Sequence, residues 1–224
     1  MTGPEREDSM NTKFDGKNLH TLIAGVSGSG KSTLVREILD SLIAAGNAEL
    51  VLIDPKRTEL VDYRDRMQTD IYAARPDDIA DALDVMATRL EDRQDSMANR
   101  GLRVWDGSHT FIVVDEMAFL MQGPSRKAYV QILQDIAMLG RAARMHLILC
   151  TQVATQDVIP ACIRDNMANV VCLRQRDAGK YRYLLGCFPG RLPQFGKCYV
   201  FTPDMFDRPE RVDTSKAWDR IVGA

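Results

Sequence analysis

The sequence predicts an α/β fold in which a mainly parallel central sheet carries helices on both faces. Two observations support this prediction. Short runs that are apolar at nearly every position alternate with longer segments whose apolar residues recur with helical spacing. Strands that are apolar at nearly every position are covered on both faces, as parallel strands are. Alternation of such strands with helices favours parallel pairing through right-handed crossovers.

The predicted elements follow one another along most of the chain. The first strand, at 20–25, contains the run TLIA, and the amphipathic helix 31–45 comes directly after a glycine-rich turn. The other strands are the apolar runs at 50–54, 110–115, 146–151, 170–174 and 198–201. Long helical patterns occupy 77–100 and 125–143, and shorter ones lie near 159–166 and 178–185. Ligands of such a sheet bind beyond the carboxyl ends of its strands.

The overall composition is that of an ordinary soluble α/β protein. The chain has 224 residues, of which 45% are hydrophobic and 27% charged, with a net charge of −2. Bulk charge therefore offers no attraction to nucleic acid, and any such contact needs a local basic patch. Residues 1–18 lack an apolar core typical of a signal peptide, and we expect a flexible lead-in there, followed by a single domain at 19–224. No run is long enough to span a bilayer, so we expect a cytoplasmic protein without a membrane segment.

Cysteine and histidine usage favours structural roles. The five cysteines show no metal-ligand spacing, and several lie in apolar runs, which is typical of free buried thiols in a reducing cytosol. His20 and His146 each open an apolar strand, and we interpret them as structural residues rather than metal ligands.

The glycine-rich turn fits the phosphate-binding pattern G-x-x-x-x-G-K-[ST] without a mismatch. Glycines let successive backbone N–H groups converge on phosphate oxygens, and the turn opens a helix, where anions are favoured. Lys31 supplies a charge for the outer phosphates and Ser32 a hydroxyl for Mg²⁺. The pattern predicts a nucleoside triphosphate with Mg²⁺ as ligand. The expected contacts are Gly25, Val26, Ser27, Gly28, Ser29, Gly30, Lys31, Ser32 and Thr33.

An acid pair ends the apolar run FIVV. Its buried strand places Asp115 at the edge that faces the phosphate loop, where a carboxylate can hold the Mg²⁺ shell. Glu116, one residue further, can accept a proton from an attacking water. The pair favours hydrolysis over transfer to a small acceptor.

A second polar strand end is Thr151-Gln152, which follows the run LILC. A polar side chain at this place can sense the γ-phosphate or orient the attacking water. Polarity at a strand end without a functional role is the alternative interpretation.

Charged residues follow two further elements. The run LVLI ends in Asp54-Pro55-Lys56-Arg57, where the proline stops the strand. These charged residues could belong to the site or to a subunit boundary, or they could be ordinary solvated charges in a turn. The sequence fits the two interpretations about equally well. At the end of helix 125–143, Arg141 or Arg144 could act as an arginine finger on a neighbouring subunit's nucleotide. The residues alone favour a simpler interpretation, a cation at a helix C-terminus.

These strings together resemble the motor domain of the FtsK/SpoIIIE family of DNA translocases, within the wider FtsK–HerA group. The resemblance extends from about residue 20 to 201 and keeps the family's order and spacing. The most discriminating string is IDPKR followed by Glu-Leu and a tyrosine. The segments that carry the resemblance are HTLIAGVSGSGKST, LIDPKRTELVDY, FIVVDEMAFLM, GRAARMHLILCTQ and NVVCLRQ.

The resemblance implies a RecA-like P-loop NTPase core that forms a hexameric ring around double-stranded DNA and moves along it by hydrolysing ATP. It also implies roles by position. They are phosphate and Mg²⁺ binding for Lys31 and Ser32, the Walker B aspartate for Asp115, the catalytic acid for Glu116, the polar sensor for Gln152 and the arginine that acts in trans for Arg141.

The chain also departs from the family pattern. Val153-Ala154 stand where the family usually has Arg-Pro after the Thr-Gln strand. Family motors carry further domains, so we expect a stripped-down motor core such as one encoded by a phage, plasmid or integrative element. Basic residues late in the chain are candidate DNA contacts, and the alternative interpretation is a solvated helix and loop. The candidates are Arg174, Arg176, Lys180, Arg182 and Arg191, with Tyr181 and Tyr183 between them. Arg64 and Arg66 are weaker candidates.

Other functions remain consistent with the same core. A conjugative-coupling or protein-export ATPase would recognise a polypeptide or a nucleoprotein complex, although such relatives usually have tandem cores or membrane segments. A non-motor, ATP-gated assembly module would need no turnover. A small-molecule kinase is the least consistent, because nothing in the sequence indicates an acceptor pocket or lid.

Overall fold

The computed structural model describes residues 14, 16–202 and 207–223. Within them, one sheet of eight strands has the order β3-β2-β4-β5-β1-β6-β7-β8. The strands are β1 Thr21–Ala24, β2 Ala48–Ile53, β3 Thr69–Ala73, β4 His109–Val114, β5 Met145–Thr151, β6 Asn169–Cys172, β7 Lys197–Phe201 and β8 Glu210–Asp213. The helices are α1 Lys31–Ala45, α2 Pro76–Arg100, α3 Met117–Leu120, α4 Arg126–Leu139, α5 Ala161–Arg164, α6 Ala178–Leu185 and α7 Ala217–Val222.

The sheet is mainly parallel, as predicted. Strands β1 to β6 pair in parallel, whereas β7 runs antiparallel to β6, and β8 runs antiparallel to β7. An apolar run does not reveal the direction of its strand, so the sequence did not predict the antiparallel end. The sequence also missed β3 and β8, which are the edge strands and carry polar residues instead of a continuous apolar run.

Helices cover both faces of the sheet, which confirms that part of the prediction. Successive residues of each central strand point to opposite faces. In β1, Leu22 belongs to the hydrophobic cluster under α2, α4 and α6, whereas Ile23 belongs to the cluster under α1 and α7. The central strands are therefore buried on both sides, which explains their uninterrupted apolar character.

The helix predicted at 125–143 is shorter than expected and ends at Leu139. At Gly140 the backbone N–H still bonds the carbonyl of Ile136, and a Cβ there would lie 2.4 Å from that oxygen. The next residues form a turn in which Arg144 adopts φ 51°. Arg141 therefore lies on this turn and not on the helix.

The folded core begins before residue 19, where the sequence analysis placed the start of the domain. Phe14 is fully buried, and its ring packs edge-on against Phe111, with centroids 5.4 Å apart, and against His109. Lys17 donates a hydrogen bond to the carbonyl of Val222 in α7. The core thus includes Phe14, while residues 1–13 and 15, where most of the predicted lead-in falls, lie outside the described residues.

The histidines form a buried group at the amino-terminal edge of the sheet. His20 Nδ1 accepts a hydrogen bond from the backbone N–H of Leu147 at 3.0 Å, and ring nitrogens of His109 and His146 lie 2.9 Å apart. Burial lowers the pKa of His20 to about 4 and that of His146 well below its usual value. The rings of His20 and His146 are therefore neutral, in keeping with a structural role. Burial also raises the pKa of the Cys150, Cys172 and Cys198 thiols to about 12.

Candidate nucleotide site

Three strand ends bring the predicted site together. Strand β5 pairs with β1 on one side and with β4 on the other, all in parallel. The phosphate loop follows β1, the acid pair follows β4, and Thr151 ends β5 between them. The site therefore lies at the carboxyl edge of the sheet, where ligands of parallel sheets bind.

The phosphate loop has the backbone that its glycines predict. Gly30 takes φ 95° immediately before α1, a conformation that favours glycine. At Gly25 a Cβ would lie 2.5 Å from Ser29 Oγ, so the loop closes tightly on itself there. The N–H of Gly25 bonds the carbonyl of Thr151 at 3.1 Å, and the N–H of Val26 bonds that of Arg174 at 3.0 Å. Backbone contacts to both neighbouring strands thus fix the loop.

Lys31 opens α1 and points toward the acid pair. Its Nζ lies 3.4 Å from Asp115 Oδ1, and both side chains are buried. Burial opposes the charge of Lys31, but the electrostatic effects of Cys150, Asp115 and Glu116 together outweigh it and raise the pKa of the amine. Burial also raises the pKa of the Asp115 carboxyl, and the two nearby lysines only partly counteract this effect.

The site offers suitable oxygens for Mg²⁺. Asp115 Oδ2 is buried and accepts no hydrogen bond from the described residues, as expected of an oxygen that serves a metal-bound water. Ser32 lines the same cavity as the phosphate loop. A carboxylate and a hydroxyl are hard oxygen donors, so these residues fit the expected ion.

The Glu116 carboxylate accepts three hydrogen bonds. Lys56 Nζ donates to Oε2 at 2.9 Å, Thr151 Oγ1 to Oε1 at 2.9 Å, and the Gln152 backbone N–H to Oε1 at 3.3 Å. Burial by itself favours the neutral carboxyl, but the combined effect of these donors lowers the pKa of Glu116. The carboxylate is therefore held as a charged acceptor beside the phosphate loop.

Lys56 reaches the site from the turn after β2. Asp54, which is buried, accepts hydrogen bonds from the backbone N–H of Leu60 at 3.0 Å and from the Tyr72 hydroxyl at 3.2 Å. The turn closes with the N–H of Arg57 on the carbonyl of Asp54, and Arg57 adopts φ 57°. The sequence left the role of these charges open. Both Lys56 and Arg57 are exposed, but of the two only Lys56 is seen to bond an acid of the site, through its Nζ to Glu116.

A cavity of about 470 Å³ lies over the phosphate loop. Gln152 lines it together with Ser27 and Lys31, so the predicted polar sensor does face the loop. Two further residues line it that the sequence analysis missed, Glu59 and Phe195. Glu59 is the glutamate of the Glu-Leu pair that follows the IDPKR string, so the sequence did carry a signal for it. Phe195, with 69% of its surface exposed, lies in a loop without such a signal.

The structure does not bring the predicted arginine finger into its own chain's site. Arg141 precedes β5, whereas the phosphate loop follows the parallel strand β1. At about 3.3 Å per residue, the length of β5 separates them by roughly 20 Å. Arg141 is exposed and donates to the carbonyl of Gly16 at 3.4 Å, whereas Arg144 donates to that of Gly107 at 2.9 Å.

The candidate DNA contacts divide into two groups. Tyr181 is fully buried, and its hydroxyl accepts N–H groups of Gln175 and Leu192, so the expectation that it lies among the DNA contacts is wrong. Tyr183 is half-buried, with the Arg164 guanidinium 4.7 Å from its ring centroid. The basic residues that line cavities beside Val26 of the phosphate loop are Arg174, Arg176, Lys180 and Arg191. The remaining ones, Arg182, Arg64 and Arg66, are exposed.

The sheet order, the phosphate loop and the acid pair define a P-loop ATPase fold. Solved structures with this fold include the pCW3 conjugation coupling protein TcpA with ATPγS, 20% identical, with a TM-score of 0.71 over 92% of this chain and 65% of that chain. EssC ATPases 2 and 3 from Geobacillus thermodenitrificans are 15% identical, with a TM-score of 0.74 over 91% of this chain and 42% of that chain.

Sequence comparisons give the family. The sequence profile of the FtsK/SpoIIIE family matches residues 3–112. The DNA translocase FtsK of Streptomyces avermitilis is 30% identical over 222 residues, which cover 86% of this chain and 24% of the relative. That of Helicobacter pylori J99 is 32% identical over 173 residues, which cover 69% of this chain and 20% of the relative. The chain belongs to the FtsK/SpoIIIE family.

The alignments span only about a fifth to a quarter of the length of these curated relatives. Within residues 14, 16–202 and 207–223, none of the helices combines the length and the apolar character that are needed to cross a bilayer.

Proposed function

We propose that this chain is an ATP-hydrolysing motor core that binds and translocates double-stranded DNA as a ring oligomer, encoded by a phage or another mobile element. The carrying observation is the convergence of Lys31, Asp115 and Glu116 at one sheet edge, with Lys31 Nζ 3.4 Å from Asp115. A module that only binds ATP would need the phosphate loop but not a charged carboxylate, such as that of Glu116, held next to it as a proton acceptor. The names of the curated relatives support DNA as the track.

The proposed mechanism is hydrolysis by water at the γ-phosphate. The loop N–H groups and Lys31 bind the phosphates. Ser32 and Asp115 would hold Mg²⁺, which when bound neutralises charge on the outer phosphates. Glu116 accepts a proton from the attacking water, and Gln152 senses the γ-phosphate or orients that water.

Arg141 completes the site from a neighbouring subunit in this proposal. It is exposed at the opposite edge of the sheet, so a contact with a nucleotide needs a second copy of the chain. An arginine that approaches the γ-phosphate stabilises the charge of the transition state. A hexameric ring would place such an arginine at every nucleotide.

The first test is the ATPase rate with and without linear duplex DNA over a range of salt concentrations. We expect stimulation by DNA that weakens as salt rises, because phosphate contacts release counterions. Glu116→Gln should lower the rate by about 10²- to 10⁴-fold, the usual contribution of a general base. Equal rates with and without DNA at every salt concentration would exclude the motor.

The second test addresses the shared site. Arg141→Ala and Lys31→Ala should each be nearly inactive alone, the first because it lacks the arginine and the second because it lacks the phosphate lysine. A mixture should regain part of the activity, because some interfaces combine an intact loop with an intact arginine. No recovery in mixed oligomers would refute the role of Arg141 in trans.

The same experiments separate the alternatives. A coupling or protein-export ATPase would be stimulated by a secretion substrate and not by naked duplex DNA. A non-motor assembly module would bind ATP tightly without detectable turnover.

A further inference from the structure

We infer that Lys56 is a positioning residue that orients Glu116 for the attacking water. This inference rests on the proposed ATP hydrolysis but not on DNA or on a ring. Its basis is the hydrogen bond of 2.9 Å from Lys56 Nζ to Glu116 Oε2, combined with the two bonds on the other carboxylate oxygen.

The acceptor sites of Glu116 indicate where the water binds. An ionised carboxylate has about four acceptor sites, two on each oxygen. Thr151 and the Gln152 backbone fill both sites of Oε1, and Lys56 fills one site of Oε2. The free site is therefore on Oε2, on the same oxygen that Lys56 holds. Without Lys56 the carboxylate could rotate about its last bond and lose this direction.

The turn that carries Lys56 is built to hold it. Asp54 ties the turn to Leu60 and Tyr72 through hydrogen bonds. Arg57 keeps a left-handed backbone that is strained for a residue other than glycine. Such strain persists only where the surroundings determine the conformation. Because the turn follows β2, which pairs with β4, it couples a second strand to the acid pair.

An effect through the metal is the main competing explanation. Lys56 Nζ also lies 3.9 Å from Asp115 Oδ2, but this distance exceeds a hydrogen bond, and the bond to Glu116 is a full 1.0 Å shorter (3.9 Å against 2.9 Å). The geometry thus favours Glu116 as the group through which Lys56 acts. The dependence of the rate on Mg²⁺ concentration distinguishes the two explanations.

The test compares Lys56→Met and Lys56→Arg with the parent in basal ATP hydrolysis, without DNA. Met removes the donor and should lower kcat by about 10- to 100-fold, the usual cost of a misplaced catalytic group, with KM unchanged. Arg keeps the donor and should restore part of kcat. The matched control is Arg57→Asn, which removes the adjacent exposed cation, suits the left-handed backbone and should leave kcat unchanged.

A double-mutant cycle decides whether Lys56 acts through Glu116. In a Glu116→Gln background, Lys56→Met should change the single-turnover rate by less than about twofold, because the group that it positions is already absent. The ATP dissociation constant and the Mg²⁺ concentration for half-maximal rate should both stay at the parent values. Independent, multiplying effects of the two substitutions, or a shifted Mg²⁺ requirement, would overturn the inference.

Failure of the inference and failure of the proposed function give different results. An inactive parent, or a Glu116→Gln variant with parental activity, would refute the hydrolase itself. An active parent, an inactive Glu116→Gln variant and a fully active Lys56→Met variant would refute only the role of Lys56. If Lys56→Met does not fold, Lys56→Ala replaces it in the same cycle, because it also removes the donor to Glu116.

Discussion

Replacement of Phe14 by alanine should destabilise the core strongly, although this residue precedes the first strand. The ring is fully buried and packs edge-on against Phe111 and His109. A buried aromatic ring covers on the order of 150–250 Å², and at about 25 cal/mol per Å² this area is worth roughly 4–6 kcal/mol. Alanine keeps a small part of it, so we expect a loss of about 4 kcal/mol, within the usual range for Phe→Ala in a core.

Urea unfolding followed by circular dichroism measures this loss. Thermal unfolding gives a second reading: in a chain of this size each kcal/mol shifts the Tm by about 2–4 °C, so the Tm should fall by roughly 8–16 °C. The matched control is Phe195→Ala, which removes the same ring from a position with 69% of its surface exposed and should change the free energy of unfolding by no more than about 0.5 kcal/mol. A Phe14→Ala loss below about 1 kcal/mol would refute the burial argument, because Phe→Ala in a packed core costs about 3–5 kcal/mol.

Three further predictions concern other parts of the molecule. Gly25→Ala should weaken ATP binding by about tenfold or more in calorimetry, because its Cβ would lie 2.5 Å from Ser29 Oγ and force the phosphate loop to move; unchanged affinity would contradict this. The imidazole of His20, whose pKa burial lowers to about 4, should stay neutral in an NMR titration at pH 5. Below about pH 6.5 the unfolded state binds a proton at His20 and the folded state does not, so the free energy of unfolding should fall progressively from pH 6.5 toward pH 4. A titration midpoint of His20 near 6.5 in the folded protein would contradict its burial. Asp54→Ala should lower the free energy of unfolding by about 1–3 kcal/mol in urea, because the Leu60 N–H loses its acceptor, and a neutral result would show that the turn does not depend on Asp54.

The sequence predicted the centre of the sheet and of the site better than their margins. Strands β1, β4 and β5 are apolar on both faces, so their positions followed from the runs themselves, and the sheet-edge rule then placed the phosphate loop beside Asp115-Glu116. The helix α1 begins and ends at the predicted residues. These features depend on local pattern and on one topological rule, which is why they could be predicted.

The margins depend on contacts that no local pattern encodes. Phe14 is a single apolar residue in a polar segment, and only the tertiary structure shows that it enters the core. The alternatives for Lys56 stayed open because a cation in a turn has the same sequence signature whether it is solvated or bonded to Glu116. Tyr181 lies between basic residues in sequence, yet it faces inward because α6 packs its apolar face on the sheet.

The contact between Lys17 and α7 places the two ends of the described core at one corner. Phe14 at one end and Trp218 of α7 at the other also belong to one hydrophobic cluster. Since Lys17 lies shortly before β1, this corner lies toward the edge of the sheet opposite the phosphate loop. Polypeptide joined before and after the core would therefore attach at two neighbouring points on one corner of the domain. Such an attachment leaves the nucleotide edge open, and a load applied there would reach the sheet from its far end.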